Sequence, residues 1–413
     1  MKRLAPWTLL FVTLLVIVVP FALAAATATP APVATKADRS PAAPIATALS
    51  TVTGIAISPL LGTGAYGAYQ WATAKDAKAR AALPWYAQVT FWLPALLIVA
   101  LCAAKDAFGT VVPPGLKKPL DVLETVENKF SGLIAAGAVV PFAVSAMTKM
   151  VFAGSAVAAA DAPVLAHSGV AAIHLAAFDL TWLLNLLTVP FGIAVFVLVW
   201  LGSHAINVLI LLSPWGAIDA GLKAARTALL GLVTVAATLN PVVGAVLSLV
   251  VIVVAYFVAG WAFRLTVFGS VFCWDFVTRR RNRFGPQEND NLMFAGANCP
   301  AVPVRTYGRL VQRTPGGLEF VYRPWLLLPP KVAPIAVEPK ALAVGEGLFF
   351  SDIETDDGRM LFSLPPRYRG HEEVVARAYL MGGGVRPAGL RKAWGALREM
   401  LGGRAMKSGS VAA

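Results

Sequence analysis

The chain has 413 residues, of which 57% are hydrophobic and only 14% are charged. This balance is too apolar for a soluble protein of that length. The net charge is +13, and the residues from Arg279 onward hold twenty Lys and Arg against twelve Asp and Glu. After so much apolar sequence, the basic excess favours contact with anionic lipid over binding of nucleic acid, so we predict a lipid bilayer and no nucleic acid as partner.

The N-terminus has the pattern of a secretory signal. Met1-Lys2-Arg3 is basic, Leu9–Val19 is apolar, and Pro20 precedes the small residues of Ala22-Leu23-Ala24. This order predicts a signal peptide over residues 1–24, with an uncleaved first span as the alternative. The Ala, Thr and Pro content of residues 25–44 predicts an exposed extracytoplasmic tail.

Seven apolar segments over residues 45–278 predict transmembrane helices, because about 20 apolar residues cross the hydrocarbon core of a bilayer. The longest uninterrupted run, Val242–Phe263, holds no ionisable side chain. Pro190 is predicted to separate the fourth span from the fifth, since proline removes a helical donor. The predicted spans are Ile45–Trp71, Trp85–Ala104, Phe130–Met147, Gly169–Thr188, Val189–Leu212, Ala225–Leu239 and Pro241–Phe268. The predicted fold class is an α-helical bundle of about seven spans, followed by a small α+β domain.

Lysine and arginine in short loops predict the orientation of these spans. Lys78 and Arg80 mark the first loop as cytoplasmic, Lys223 and Arg226 the fifth, and the Arg279–Arg283 cluster the end of the last span. We therefore predict a multi-pass protein of the bacterial inner membrane with a cytoplasmic C-terminal domain. The second loop disagrees, since its lysines would lie outside: Lys105, Lys117, Lys118 and Lys129.

A weak internal repeat relates Phe91–Pro141 to Phe191–Pro241, about a hundred residues later. Each copy runs from an apolar helix through a polar segment with Pro and Asp to a helix of small residues. In the seven-span topology the copies would face opposite ways, as the inverted repeats of secondary transporters do. The alternative is chance similarity between Ala/Leu/Val-rich helices. The paired positions are Pro113 with Pro214, Asp121 with Asp219, and Gly132 with Gly231.

Several short motifs carry a resemblance to a known family. They are Lys105-Asp106 after an apolar helix, the loop Val111–Gly115, Asp121 before a Gly/Ala-rich helix, and Asn240-Pro241 ahead of the last span. Over about residues 45–270 the chain resembles a family of uncharacterised bacterial integral-membrane proteins that share a domain of unknown function. The resemblance implies membrane placement and no mechanism.

Four polar residues within the apolar runs form a candidate intramembrane site: Asp179, Asn185, His204 and Asn207. Ionisable groups at membrane depth cost at least a few kcal/mol and normally face the bundle interior or a wet cavity. Asp179 and His204 are therefore candidates for transport or proton transfer. The alternative is that these side chains hydrogen-bond a neighbouring helix.

A second set of candidates consists of charges near the predicted membrane interface: Asp106, Asp121, Glu124, Glu127 and Asp219. In Pro119–Lys129, three of these carboxylates recur at three-residue steps and so follow one stripe of a helix. One interpretation is a relay for cations or protons. The other is an amphipathic helix at the interface, with its acids in water and its leucines in lipid.

No sequence motif supports an enzyme, a metal site or a cofactor. The chain has no HExxH, no P-loop and no GxSxG, and it has only four histidines. Cys102, Cys273 and Cys299 are isolated, which predicts neither a disulfide framework nor a metal site. We therefore predict no catalytic residue, no metal and no cofactor.

Residues 287–401 have the period of strands followed by helices. Val302–Arg313 and Leu318–Leu328 flank a Pro-Gly-Gly turn, and a second hairpin is predicted around Asp356-Asp357-Gly358. Helices are predicted at His371–Met381 and Pro387–Leu401, with Gly382–Gly384 as a flexible linker between them and residues 402–413 as a flexible tail. The predicted aromatic core consists of Trp325, Phe349, Phe350, Phe362 and Trp394.

Two functions from different classes fit these features. The first is a transporter-like or channel-like membrane protein, favoured by the repeat and by Asp179. The alternative is a non-transporting scaffold whose cytoplasmic β-rich domain binds a protein partner or anionic lipid. Either function is compatible with a monomer or an oligomer.

Overall fold

A computed structural model describes most of the chain and divides it into two compact units. We call Met1–Ala259 the helical unit and Gly260–Ala413 the sheet unit. The predicted signal peptide, the predicted tail from 402 and Asp179 lie outside the described residues. The described residues are 42–107, 114–140, 181–212, 216–314, 317–347 and 350–388.

The described residues contain nine α-helices, which we number in chain order. They are α1 (Ala42–Ile57), α2 (Pro59–Thr73), α3 (Ala77–Ala81), α4 (Val89–Ala107), α5 (Pro114–Ile134), α6 (Thr181–Leu212), α7 (Gly216–Leu239), α8 (Pro241–Val277) and α9 (Glu372–Ala378). A π-helical turn, Ala135–Val139, follows α5. Helix α8 begins in the helical unit, and its residues from Gly260 onward belong to the sheet unit.

The prediction of seven spans is wrong. Within the described residues, three helical segments are long and apolar enough to cross a bilayer: Thr188–Leu212, Gly221–Leu239 and Pro241–Val277. The first predicted span, Ile45–Trp71, is instead the two helices α1 and α2. The chain turns at Ser58-Pro59 and brings the start of α2 against the end of α1. The approach is so close that a Cβ at Gly62 would lie 2.7 Å from Ile55 Cα. The apolar length that predicted one span is thus used for packing between two shorter helices.

The predicted break at Pro190 is also absent. Helix α6 runs through Pro190 from Thr181 to Leu212, so the described part of Gly169–Thr188 is continuous with Val189–Leu212. A single proline removes one backbone hydrogen bond, and long apolar helices tolerate that loss when neighbouring helices pack around them. The fifth predicted span therefore belongs to the same helix as residues 181–188 of the fourth, and residues 169–180 lie outside the described ranges.

The boundaries of the second and third predicted spans differ for related reasons. Trp85–Ala104 begins with a 3₁₀ turn, Trp85–Ala87, before α4. Helix α5 continues through the predicted junction at Lys129-Phe130, because no residue there breaks a helix. Residues 141–147 lie outside the described ranges.

The predicted inverted repeat is not supported. The helices of the first copy, α4 and α5, have 19 and 21 residues, whereas α6 and α7 of the second have 32 and 24. Among the described helices of the two copies, only α6 and α7 contain candidate spans. The opposite orientation of the two copies depended on the seven-span topology, which the three candidate spans contradict.

The core of the helical unit forms where α1, α5, α6 and α7 meet. Ile55, Ala56, Phe196 and Val233 are buried there, together with Tyr86 from the 3₁₀ turn. Many other large apolar side chains of this unit are exposed, particularly on α4, α5 and α8.

The sheet unit contains an eight-stranded mixed sheet with the order β4-β3-β2-β1-β7-β6-β5-β8. All neighbouring strands are antiparallel except β5 and β8, which are parallel. The small α+β domain of the prediction is thus a single large sheet. Its strands are β1 (Asp290–Ala295), β2 (Tyr307–Thr314), β3 (Gly317–Tyr322), β4 (Lys331–Ile335), β5 (Leu342–Glu346), β6 (Asp352–Thr355), β7 (Met360–Ser363) and β8 (Val385–Pro387).

Two strand pairs coincide with the hairpins that turn residues predict. Strands β2 and β3 pair up to Thr314 and Gly317, and β6 pairs with β7 across a turn where Gly358 has φ +75°. Only glycine adopts such a φ without strain. The ring centroids of Phe320 and Phe362 lie 5.1 Å apart in the buried core of the sheet.

Several predictions for the sheet unit need correction. Trp325 was expected in the core but is 44% exposed. Phe350 is half-buried, while Phe349 and Trp394 lie outside the described residues. Gly382–Gly384 does not link two helices, because it follows α9 and leads into strand β8. Strand β8 pairs with β5 and includes Pro387, where a helix was predicted to start. Residues 389–401 of that helix are outside the described ranges.

Candidate functional site

The structure places two of the four predicted intramembrane residues in a buried environment. His204 is 0% exposed and Asn207 is 3% exposed, and both lie on α6. Asn185 belongs to the same helix, whereas Asp179 is outside the described residues. His204 and Asn207 are therefore the residues around which a site can be described.

Helices α5, α6 and α7 bring six polar side chains together, which we call the polar cluster: Glu124, Asn128, His204, Asn207, Lys223 and Arg226. His204 Nδ1 lies 2.8 Å from Asn128 Oδ1. Lys223 Nζ donates to Glu124 Oε2 at 2.9 Å. Arg226 donates to Asn207 Oδ1. The cluster thus ties α6 to α5, α7 to α5 and α7 to α6.

Close packing of α5 against α6 holds the His204 ring in place. A Cβ at Gly132 would lie 2.8 Å from Trp200 Cε2, so no larger residue fits there without a shift. The Trp200 ring stacks on His204, with 5.0 Å between the ring centroids. On α5, Thr125, Asn128 and Ser131 are buried at three-residue spacing, which turns a polar face toward this packing.

The charged members of the polar cluster are largely removed from solvent. The side chains of Lys223 and Glu124 are 13% and 11% exposed. One turn along α5, burial raises the pKa of Glu127, and its Oε1 has no hydrogen-bond partner among the described residues. These carboxylates are therefore not the water-exposed acids of a simple interfacial helix.

The remaining predicted interfacial charges lie elsewhere on these helices. Asp106 and Asp121 belong to α4 and α5. Asp219 is buried in the first turn of α7, where a carboxylate is stabilised by the helix dipole. The structure thus joins Glu124 to His204 and Asn207 through one cluster.

The position of the polar cluster limits what it costs in a membrane. Asn207 is near the end of the candidate span Thr188–Leu212, and Lys223 and Arg226 are near the start of Gly221–Leu239. Charges close to the ends of a span can reach the interface at much lower cost than charges at its centre. The polar cluster therefore does not require a deep aqueous cavity.

The chemistry open to the polar cluster is hydrogen bonding and proton transfer. Within the described ranges, no group of three His, Cys, Asp or Glu residues is arranged to hold a metal ion. His204 Nε2 and Asn207 Nδ2 have no hydrogen-bond partner among the described residues. The cluster supports association of the helices, and His204 Nε2 is the imidazole nitrogen available to bind a proton.

Sequence reasoning missed a second buried charge pair, in the sheet unit. Arg367 Nε donates to Asp275 Oδ2 at 2.8 Å, and the two side chains are 4% and 0% exposed. The Arg367 backbone N–H also donates to this carboxylate, at 3.3 Å. Asp275 lies near the end of α8, and Arg367 lies in the 3₁₀ turn Pro366–Tyr368. The sequence did contain one signal for this pair: the carboxylate of Asp275 stands between the aromatic residues Trp274 and Phe276.

The sheet unit also has an open cleft of about 610 Å³ between the segment before β1 and helix α9. Gln287, Arg313 and Arg377 contribute polar groups to it. Leu380, which is 64% exposed, contributes an apolar surface. The cleft therefore presents polar groups and an exposed leucine on one surface.

Comparison with protein-family models, with curated proteins and with solved structures finds no match. The resemblance to a family of integral-membrane proteins therefore stays a prediction from the motifs quoted above.

Proposed function

We propose that the protein is a membrane-anchored scaffold. Its apolar helices fix it in the bilayer, and its last helix holds the sheet unit at the membrane surface, where that unit binds a protein partner. Three helical segments of sufficient length and apolarity support the anchoring. Only 6% of the candidate span Gly221–Leu239 is buried, as expected for a helix that faces lipid and not for one that lines a closed pore.

The buried Asp275–Arg367 ion pair carries this proposal. It joins the end of α8 to the turn after β7 at a point closed to solvent. Breaking a buried pair leaves one uncompensated charge, which costs about 3–5 kcal/mol. The part of α8 from Gly260 onward and the sheet are therefore expected to behave as one rigid element, as a scaffold requires.

Aromatic packing strengthens the same junction. The Phe268 ring lies 4.7 Å from Phe294 of β1 and 5.5 Å from Phe350. One turn later, Phe272 lies 5.5 Å from Phe350. Aromatic pairs at such distances are worth about 0.5–1.5 kcal/mol beyond their buried area. The last turns of α8 thus contribute to the core of the sheet unit.

The basic residues after α8 support a cytoplasmic location for the sheet unit. Arg279 and the 3₁₀ turn Arg280–Arg283 follow the end of α8, and these arginines are solvent-facing. Such clusters mark the cytoplasmic side of inner-membrane proteins. A reporter fused at Arg281 should be active only in its cytoplasmic form, and an extracytoplasmic signal would contradict this orientation.

The cleft beside α9 is the surface we assign to the partner. Its exposed Leu380 has φ +54°, a conformation that costs a non-glycine residue about 1 kcal/mol or more. A strained and exposed leucine contributes little to the fold and is available to a second protein. Leu380→Ser should therefore weaken partner binding while leaving the thermal stability of the chain unchanged.

Transport is the second candidate function, and the polar cluster is the observation that favours it. His204 Nε2 lacks a partner among the described residues and belongs to a helix that contains a candidate span. In this function, His204 Nε2 accepts and releases the proton, and the fixed charge of Arg226 stays outside the relay.

Ion flux separates the two functions. The full chain is reconstituted into vesicles that hold a pH-sensitive dye, and a pH step is applied with and without an ionophore. The scaffold proposal expects proton flux equal to that of empty vesicles, for the natural chain and for His204→Gln alike. Flux in the natural chain that His204→Gln abolishes would overturn the scaffold and establish transport.

A further inference from the structure

The sheet unit contains a small basic pocket where the residues before β2, the loop after β3 and the side of α8 meet. The pocket has a volume of about 190 Å³. Four cations line it: Arg264, Arg305, Arg323 and Lys331. Its described lining includes no carboxylate, although the exposed arginines of β2, Arg309 and Arg313, each pair with an acid. Four cations that converge on one recess without an acid indicate an anionic ligand.

Arg305 is held in the pocket by its backbone. Its φ is +62°, a strained value for a side chain of this size, and its N–H donates to Ala295 O at 2.8 Å. Its guanidinium lies 5.7 Å from the Phe268 ring centroid. Burial lowers the pKa of Arg305, so the fold holds a cation in a partly desolvated position. Strain of this kind persists where a function requires the geometry.

The size of the pocket suits a phosphate group. A water molecule occupies about 30 Å³ in the liquid, so the recess has room for a phosphate and a short ester substituent. Guanidinium groups bind phosphate oxygens through charge-assisted hydrogen bonds, and the phenol hydroxyls of nearby tyrosines can add further donors. Tyr307 and Tyr322 both line the pocket.

An exposed apolar loop forms one wall of the same pocket. Trp325, Leu326, Leu327 and Leu328 are 44%, 44%, 87% and 49% exposed. Trp325 and Leu326 have φ +54° and +60°, so the loop presents these side chains at a cost in backbone energy. A consecutive run of one tryptophan and three leucines is unfavourable in water and marks contact with an apolar phase.

The length of helix α8, which contacts this loop, indicates the depth of the loop relative to the bilayer. The Trp325 ring lies 4.8 Å from Phe263, the last residue of the run without an ionisable side chain. From Pro241 to Arg264, α8 rises by about 35 Å, slightly more than the roughly 30 Å hydrocarbon core. Arg264 then emerges at the headgroups, and Trp325 sits where membrane proteins place interfacial tryptophans.

We propose that this pocket binds the phosphate of an anionic phospholipid headgroup, while the loop Trp325–Leu328 inserts among the adjoining acyl chains. The charges face the headgroup and the leucines face the lipid tails, so one lipid molecule satisfies both surfaces. The inference rests on the proposed function, which holds the sheet unit at the membrane surface. It adds a lipid ligand and the residues that recognise it.

The test uses the full chain in mild detergent with fluorescent phosphatidylglycerol as the probe. Arg305→Gln combined with Arg323→Gln removes two charges from the pocket. The matched control, Arg309→Gln combined with Arg359→Gln, removes two charges from exposed arginines outside it. We expect the Kd to rise about tenfold in the pocket variant and less than twofold in the control. Equal losses in both would overturn the site, because binding would then follow net charge alone.

Two further arms identify the source of the phosphate. Glycerol phosphate, added in solution, should compete with the fluorescent lipid only weakly; competition at the affinity of the lipid would overturn the lipid assignment in favour of a free phosphate ester. Leu327→Asp should weaken lipid binding, and unchanged binding would overturn insertion of the loop. Failure of the lipid site leaves the ion-flux result untouched, so it is distinguishable from failure of the scaffold.

Discussion

The helical unit and the sheet unit both bury an ion pair, but they treat apolar side chains in opposite ways. In the sheet unit, Phe320 and Phe362 are fully buried, and exposed apolar groups are concentrated at a few places such as the loop Trp325–Leu328. In the helical unit, large apolar side chains such as Leu239 and Val246 are exposed along α7 and α8. Under the proposed function, an exposed leucine of the helical unit faces lipid, whereas one of the sheet unit marks a specific contact.

The ion pairs of the two units also differ in how far their side chains are exposed. Glu124–Lys223 joins two helices and keeps more than a tenth of each side chain exposed. Asp275–Arg367 is sealed within the sheet unit. From this comparison we expect the rigidity of the sheet unit to depend on its buried ion pair. We expect the helical unit to tolerate the loss of its more exposed pair. The following substitutions are ordered by the size of the effect expected.

The largest effect is expected from breaking the sealed pair. Arg367→Met should destabilise the sheet unit by about 3–5 kcal/mol, because the Asp275 carboxylate is left buried and unpaired. Hydrogen exchange of β1 and β7 in the full chain measures the loss. The control Arg309→Met breaks an exposed pair with Asp290 and should cost less than about 1 kcal/mol. Equal exchange in both variants would contradict a structural role for the buried pair.

A smaller effect is expected from Gly132→Ala in the helical unit. The added methyl group collides with the Trp200 ring and should cost about 1–3 kcal/mol. Gly231→Ala is the matched control, because no atom lies within 4 Å of its Cβ position. There alanine should be neutral or stabilising, since it favours the helix. Thermal unfolding in detergent compares the two, and equal midpoints would contradict the packing of α5 on α6.

The smallest effect concerns the pH dependence of the sheet unit. Burial, with a contribution from Glu354, raises the pKa of Asp352 to about 7. Its ionised form is thus disfavoured in the folded state, so stability should be greatest below about pH 4, fall as the pH rises to about 7 and then level off. Asp352→Asn should remove this fall and add on the order of 1 kcal/mol at pH 8, allowing for solvent screening. An unchanged melting profile from pH 4 to 8 would contradict the raised pKa.

Local turn chemistry made part of the sheet predictable. The residues after Thr314 and the glycine at 358 fix two reversals of the chain, and those reversals bring β2 to β3 and β6 to β7. The pairing of β1 with β7 and of β5 with β8 joins distant segments, and no short pattern encodes it. The full order of the sheet was therefore beyond sequence reasoning.

Apolar length misled the prediction of spans. Ile45–Trp71 is apolar because α1 packs on α2 and α6, and α2 packs on α4, which needs the same residue types as contact with lipid. Pro190 breaks no helix, although proline is a common boundary. In the site, His204 and Asn207 were predictable as polar residues in apolar helices. Their partners Asn128 and Arg226 come from other helices, and only the fold brings them together.

The most direct test of the scaffold is the distance between the last helix and the sheet. Spin labels at Val277 and Arg359, both exposed, report it in the full chain in nanodiscs after the three cysteines are replaced. We predict one narrow distance distribution, which Arg367→Met broadens. A broad distribution in the chain with Arg367 intact would show that the sheet unit moves freely on α8, and it would contradict the scaffold.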